Sequence, residues 1–328
     1  MKLAALNKIM GPIGDDLRES EEFLGSLAAS DVPEVDEIRD HITRYRGKRL
    51  RPVLLLLCAG MTGGVTRLSI EASAALELLH TTTLIHDDVV DRSDLRRGGA
   101  TVNALWGNRT AVLAGDIFFS RIMTWLVDLD ISEITSIFSA AIRQVCEGEL
   151  IQTQNGKMGG LITEEEYFKT ISLKTASLIS ASCKLGVLTS QGGSSGLLRA
   201  AGAFGTHLGI SFQIRDDLMD YNGRRERMGK PAARDIEGSI LTLPLIYGLE
   251  HSNNGNRDKV LGMMGREMTA EEIEFIIGFA DRSGGISYAR ERAAENARKA
   301  LSCLEHFPGS EYRDSLAELT SFVIEREF

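Results

Sequence analysis

Cysteine, proline and long apolar runs are all scarce in this chain, and each shortage removes a class of protein. Four cysteines, Cys58, Cys146, Cys183 and Cys303, stand far apart with no C-x-x-C pair. Neither a disulfide framework nor a zinc site is indicated, and the four read as incidental thiols. Only six prolines occur, each at a helix start or in a loop, so long stretches are free of helix breakers. The longest apolar run, Val53–Ala59, is far too short to cross a bilayer. The first twenty residues bring acids soon after a short apolar stretch and do not read as a signal peptide. A soluble, cytoplasmic chain without a transmembrane segment is expected. Net positive charge is missing too: 37 Lys and Arg face 46 Asp and Glu, a net −9. That balance disfavours nucleic acid and anionic membrane as partners. An acidic protein that handles an anionic ligand needs local basic clusters or metal ions.

What is present is an average globular composition, 43% hydrophobic and 25% charged over 328 residues. Glycine bunches at Gly60–Gly64, Gly159-Gly160 and Gln191–Gly196, with a further polar break at Ser252–Gly255, and these read as connections. Between them the period is helical. Ala72, Leu76, Leu79 and Thr83 recur at three or four residues within Ser69–Val90. Thr163-Glu164-Glu165-Glu166 has capping-box spacing and opens a helix expected to run to Leu188. Leu197–Tyr221 is apolar or small all round, as a buried helix is. Strand signals are weak. The expectation is an all-α chain folded as one domain over residues 1–328.

Two aspartate clusters carry the chemistry: Asp87-Asp88-Val89-Val90-Asp91 and Asp216-Asp217-Leu218-Met219-Asp220. On a helix the first and third carboxylates of each share a face with the second beside them, a mutually destabilising arrangement. Both clusters end apolar helices, so stability alone does not account for them. Paired hard oxygens suit Mg2+, with phosphates and waters completing its shell. Paired carboxylates for glycoside hydrolysis are conceivable, but six clustered acids suit metal better. Basic residues gather nearby in Gly47–Pro52, which opens a helix, and in Asp94–Gly99, with Lys174 and Lys230 later.

These residues resemble the trans-isoprenyl diphosphate synthases, or polyprenyl synthetases. The matches are Gly47-Lys48-Arg49-Leu50-Arg51-Pro52, Glu77-Leu78-Leu79-His80, the first aspartate motif with Arg96-Arg97-Gly98, and Ala114-Gly115-Asp116. They continue with Lys174-Thr175, Gly209–Ile214 running into the second motif, Gly229-Lys230-Pro231, Asp235 and Thr242-Leu243-Pro244. The resemblance implies the isoprenoid synthase fold, an antiparallel bundle of ten or more helices around a cavity, usually a homodimer. It implies that an allylic diphosphate (dimethylallyl, geranyl or farnesyl) is ionised by Mg2+ held between the motifs, three ions with diphosphate bound. Isopentenyl diphosphate then attacks the cation and a proton leaves. Position by position, it makes Asp87, Asp88, Asp91, Asp216, Asp217 and, more weakly, Asp220 the metal-linked carboxylates. Arg96, Lys174 and Lys230 become contacts of the allylic diphosphate. Lys48, Arg51, His80 and Arg97 become the isopentenyl diphosphate site, and Thr175 and Gln213 flank the reacting carbons. One departure is Ser239-Ile240 where many members carry Gly-Lys.

Product length is read from the helix before Asp87. Thr83 and Thr82, four and five residues earlier, are small where short-chain members carry bulky aromatics, and Leu79 lies a turn further back. A product beyond C15 is expected, with geranylgeranyl (C20) favoured and C25–C50 the alternative. A class I terpene cyclase is disfavoured because the second motif keeps its aspartates. A non-catalytic synthase subunit is disfavoured because no aspartate or basic residue of the set is lost.

Overall fold

The computed structural model describes residues 8–45, 47–158, 161–221, 234–252 and 254–324. Its helices are α1 (Gly14–Leu27), α2 (Pro33–Arg44), α3 (Leu50–Met61), α4 (Arg67–Val90), α5 (Val102–Leu129) and α6 (Ser132–Met158). Then come α7 (Glu164–Ile171), α8 (Ser177–Thr189), α9 (Ser195–Met219), α10 (Arg234–Glu237) and α11 (Leu243–His251). The last are α12 (Asn254–Leu261), α13 (Ala270–Arg282), α14 (Gly285–Leu304) and α15 (Glu311–Ile324). Among the described residues the one sheet is a hairpin, Leu95–Arg96 (β1) against Gly99–Ala100 (β2). The chain is all-α.

Two compact units interleave along the sequence. One comprises Met1–Ala140, Ala181–Ala201 and Phe307–Leu316, the other Ala141–Ser180, Gly202–His306 and Ala317–Phe328. In the first, α3 is apolar all round and buried from Pro52 to Ala59, as a central helix must be. Helix α4 packs against α1, α3 and α5. A capping box starts α4: Thr66 Oγ1 accepts from Ser69 N–H at 3.1 Å, and Ser69 Oγ accepts from Thr66 N–H at 3.2 Å. At Gly107 (φ 82°, ψ 158°) α5 leaves helical geometry, a backbone that glycine adopts without a Cβ penalty.

The second unit packs Ile214 and Leu218 of α9 with Leu245 and Ile246 of α11, Phe279 of α13, and Ala289 and Ala293 of α14. The expected capping box at Thr163 is there, with Thr163 N–H donating to Glu166 Oε2 at 2.8 Å. The single helix expected beyond it is not. Ser172–Ala176 forms a π-helical turn between α7 and α8. Gly148 explains how this turn fits, since a Cβ there would lie 2.6 Å from Lys174 N. Gly209 does likewise, its Cβ falling 2.6 Å from Ala176 Cα. The break at Gly159-Gly160 lies outside the described residues.

By length and composition alone, Val102–Leu129 and the stretch Glu164–Thr189 reach what a bilayer crossing takes. Charged residues interrupt both, Arg109, Asp116 and Arg121 in the first and Lys169, Lys174 and Lys184 in the second, so neither holds a long unbroken apolar run. The Glu164–Thr189 window is 61% buried within the protein and the Val102–Leu129 window 33%. Helix α5 leaves Leu105, Val112, Leu113, Met123 and Val127 exposed.

Candidate active site

The first aspartate motif ends α4 in the first unit. The helix runs through it, Asp91 N–H donating to Asp87 O at 2.8 Å, so Asp87 and Asp91 lie one turn apart on one face. Asp88 is buried, and Arg96 Nε donates to its two oxygens at 2.7 and 2.9 Å. Burial raises the Asp88 carboxyl pKa while the Arg96 charge opposes the rise. Arg96 reaches Asp88 because the β1–β2 hairpin turns the chain back at once. Arg97 (φ 53°) and Gly98 (φ 80°) both take positive φ at its turn, as two-residue hairpins of matching twist require. His41, Tyr45, Thr81, Asp88, Arg96 and Arg97 line a cleft there.

Four arginines surround His80. Arg51, Arg97, Arg96 and Arg49, after burial itself, hold its imidazole pKa well below the ordinary value, so His80 is neutral at pH 7. Burial lowers the Arg51 pKa to about 10, with Glu77 opposing and Arg97 assisting. Arg51 Nε is buried and has no hydrogen-bond partner among the described residues. Such a cluster is built for an anion. Its internal counter-charge is Glu77, which the sequence matched without assigning a role. Arg49 NH1 meets Glu77 Oε1 at 2.9 Å, and the two side chains are 9% and 3% exposed. Arg49 sits at the α3 N-cap in the left-handed region, φ 51°, a cost of about 1–3 kcal/mol for a residue with a side chain. Lys48 beside it is exposed.

Leu79 and Thr82 are buried and Thr83 half-buried. The threonine hydroxyls donate to their own helix, Thr82 to Leu78 O at 2.9 Å and Thr83 to His80 O at 2.8 Å. That leaves their methyl groups as the surface they present.

The second motif ends α9 in the second unit. Asp216 is exposed, whereas Asp217 and Asp220 are both 5% exposed. Tyr167 O–H donates to Asp217 Oδ2 at 2.6 Å and Gln213 Nε2 to Asp217 Oδ1 at 2.7 Å. Gln213 Oε1 accepts from Thr175 Oγ1–H at 2.7 Å. Burial, and after it the nearby Asp235, pushes the Asp217 pKa well up. Asp220 Oδ2 accepts from Asp235 N–H at 2.8 Å. Lys174 Nζ lies 2.5 Å from Glu149 Oε2. The π-helical turn presents Lys174 and Thr175, and such turns recur at functional sites. Sequence reasoning gave Tyr167 and Glu149 no role, and no local motif marks either. Lys230 lies outside the described residues, as does the end of the chain after residue 324. Ser239 takes φ 56° and its Oγ accepts from Gly265 N–H at 2.7 Å, so the Ser239-Ile240 that stands in place of Gly-Lys holds a loop here.

Comparison with known proteins identifies the family. A family model described as polyprenyl synthetase matches residues 32–278. The all-trans-nonaprenyl-diphosphate synthase (geranyl-diphosphate specific) of Rhodobacter capsulatus is 34% identical over 97% of this chain and 97% of its own length. The octaprenyl diphosphate synthase of Escherichia coli (strain K12) is 32% identical over 91% and 92%. A polyprenyl synthase from Caulobacter crescentus, crystallised with calcium and isoprenyl diphosphate, superposes with a TM-score of 0.89 at 30% identity, covering 98% of each chain. A geranylgeranyl pyrophosphate synthetase from Pyrococcus horikoshii does so with 0.89 at 29%, covering 98% and 99%. The architecture is thus the all-α isoprenoid synthase fold. The chain belongs to the polyprenyl synthetase family and is a trans-prenyltransferase of the isoprenyl diphosphate synthase type.

Proposed function

We propose that this enzyme condenses isopentenyl diphosphate head-to-tail with an allylic diphosphate and carries the product past C20, into the C25–C50 range. The reading rests on Thr82 and Thr83, two small residues where a bulky ring would stop the tail. Nonaprenyl and octaprenyl synthases among its relatives favour it over the geranylgeranyl product that the sequence led us to expect. A geranylgeranyl enzyme of the same fold keeps the shorter product as the competing outcome.

The carboxylates fit a hard divalent cation. Asp87 and Asp91 share a helix face and Asp216 is exposed, while among the described residues no three-residue cage of acids, His or Cys stands ready. Mg2+ favours that kind of site, keeping places for phosphate and water. Asp87, Asp91 and Asp216 would hold the ions, three with diphosphate bound. The metal supplies Lewis-acid stabilisation of the departing diphosphate. Arg51, Arg97 and Lys48, with neutral His80, bind isopentenyl diphosphate. Arg96, Lys174 and Lys230 bind the allylic diphosphate, and Thr175 and Gln213 flank its reacting carbons. Apolar walls keep water from the cation. The chain works as a single domain and as a cytoplasmic homodimer whose contact face is α5, where five large apolar side chains are exposed.

Incubating the pure protein with Mg2+, labelled isopentenyl diphosphate and geranyl or farnesyl diphosphate tests this. Chain lengths above C20 are expected after dephosphorylation and reverse-phase separation. A ladder stopping at C20 restores the shorter product, and one stopping at C15 sinks both.

A further inference from the structure

Within the second unit, Tyr167, Asp217, Gln213 and Thr175 form one continuous chain of hydrogen bonds. Its links measure 2.6, 2.7 and 2.7 Å. Gln213 and Asp217 are four apart on α9, hence on one face. Tyr167 is 3% exposed and Asp217 5%, so neither oxygen of Asp217 has bulk water as a ready alternative partner.

Donor and acceptor placement gives this chain its polarity. The Tyr167 hydroxyl and the Gln213 NH2 both donate to Asp217, which points the Gln213 oxygen at Thr175. The Thr175 hydroxyl must then donate to that oxygen. Its hydrogen is committed, and what Thr175 Oγ offers on its remaining side is lone pairs. Aligned hydrogen bonds polarise one another in a low-dielectric interior, so the chain as a whole strengthens the dipole at that oxygen. A fixed negative dipole is what stabilises a developing carbocation, provided it is oriented before the reaction.

We propose that Asp217, clamped by Tyr167, is a positioning residue that sets the direction of this chain so that Thr175 Oγ presents its lone pairs to the allylic cation, and that Asp217 is not a direct metal ligand. The inference rests on the reading above that places the reacting carbons beside Thr175. The two oxygens of Asp217 already accept from protein donors, whereas its neighbour Asp216 is exposed. The π-helical turn is what brings Thr175 into register with Gln213, and Gly148 and Gly209 allow that turn its close contacts.

The test is a double-mutant cycle with a binding measurement beside it. Tyr167→Phe removes one donor and leaves the ring; it should lower kcat about tenfold and move either substrate's KM by less than about twofold. Thr175→Val should cost about as much, and Thr175→Ser should restore most of the rate. In a Thr175→Val background, Tyr167→Phe should cost less than about twofold, because the hydroxyl it serves has gone. Mg2+ with inorganic pyrophosphate, titrated calorimetrically, should bind Asp217→Asn as tightly as wild type and bind Asp216→Asn more weakly. Additive losses in the cycle would overturn the relay, and so would a tenfold loss of Mg2+ affinity in Asp217→Asn. If Tyr167→Phe does not fold, the Thr175 pair and the calorimetry still decide. A wild-type protein that releases no diphosphate from the two substrates overturns the underlying reading instead.

Discussion

The Glu77 side chain lies 3% exposed, takes Arg49 at 2.9 Å, and acts electrostatically on Arg51 and Arg97. Removing one partner of a buried ion pair leaves the other uncompensated, typically at about 3–5 kcal/mol. Arg49 also keeps Glu21 at 3.3 Å, so Glu77→Gln should lower the unfolding free energy by less than that, about 2 kcal/mol in urea titrations at pH 7. A loss below about 1 kcal/mol would mean that solvent screens the cluster. His80 gives a pH signature of the same surroundings. Its folded pKa lies well below 6.5, so between those two values the unfolded chain binds a proton that the folded chain refuses. Its contribution is intact above about pH 6.5 and is lost as pH falls towards the folded pKa, at up to about 1.4 kcal/mol per pH unit. His80→Asn should flatten the stability profile between about pH 5 and 6.5 by up to that slope. The Arg49-containing motif and His80 were both legible in the sequence. The role of Glu77 was not, because only packing shows which carboxylate the arginines surround.

Helices, unlike contacts, announced themselves. Periodicity placed a helix over Ser69–Val90 and the structure has Arg67–Val90; Leu197–Tyr221 became Ser195–Met219. The π-helical turn at Ser172–Ala176 escaped, since nothing in Ser172-Leu173-Lys174-Thr175-Ala176 departs from an α-helical pattern. It depends on glycines in other helices. In a helix interior Gly→Ala ordinarily gains about 1 kcal/mol. At Gly209 the added carbon would meet Ala176 Cα at 2.6 Å, and overpacking of that kind costs about 1–3 kcal/mol. Gly209→Ala should thus destabilise the protein and depress kcat more than KM, by displacing Thr175. An unchanged melting temperature and kcat would show that the turn yields. On α4, Thr82→Phe should shorten the product by at least one isoprene unit, read as a shift of the chain-length ladder. An unaltered ladder would remove Thr82 from the wall.

For the molecule as a whole, the apolar face of α5 has a direct test. Leu113 is 52% exposed and Val127 71%. Leu113→Glu should convert dimer to monomer in light scattering at micromolar concentration while leaving far-UV circular dichroism unchanged. A wild-type monomer would remove the pairing. The fold class was readable from the scarcity of breakers and the helical period. The grouping into two units was not, because it depends on contacts between residues more than a hundred positions apart, such as Thr62 with Ser190.

That interleaving bears on how the chain is made. Each unit draws on three separated segments, the first needing Phe307–Leu316 and the second Ala317–Phe328. No portion emerging early from the ribosome therefore contains a complete unit. Helices can form as they appear, but closing the first unit must wait for Phe307–Leu316 and the second for Ala317–Phe328, the long-separation contacts that slow folding most. Until then α3 and its apolar surroundings are without their full cover. A nascent chain stalled short of Phe307 would be a client for chaperones and proteases, whereas a released one would not.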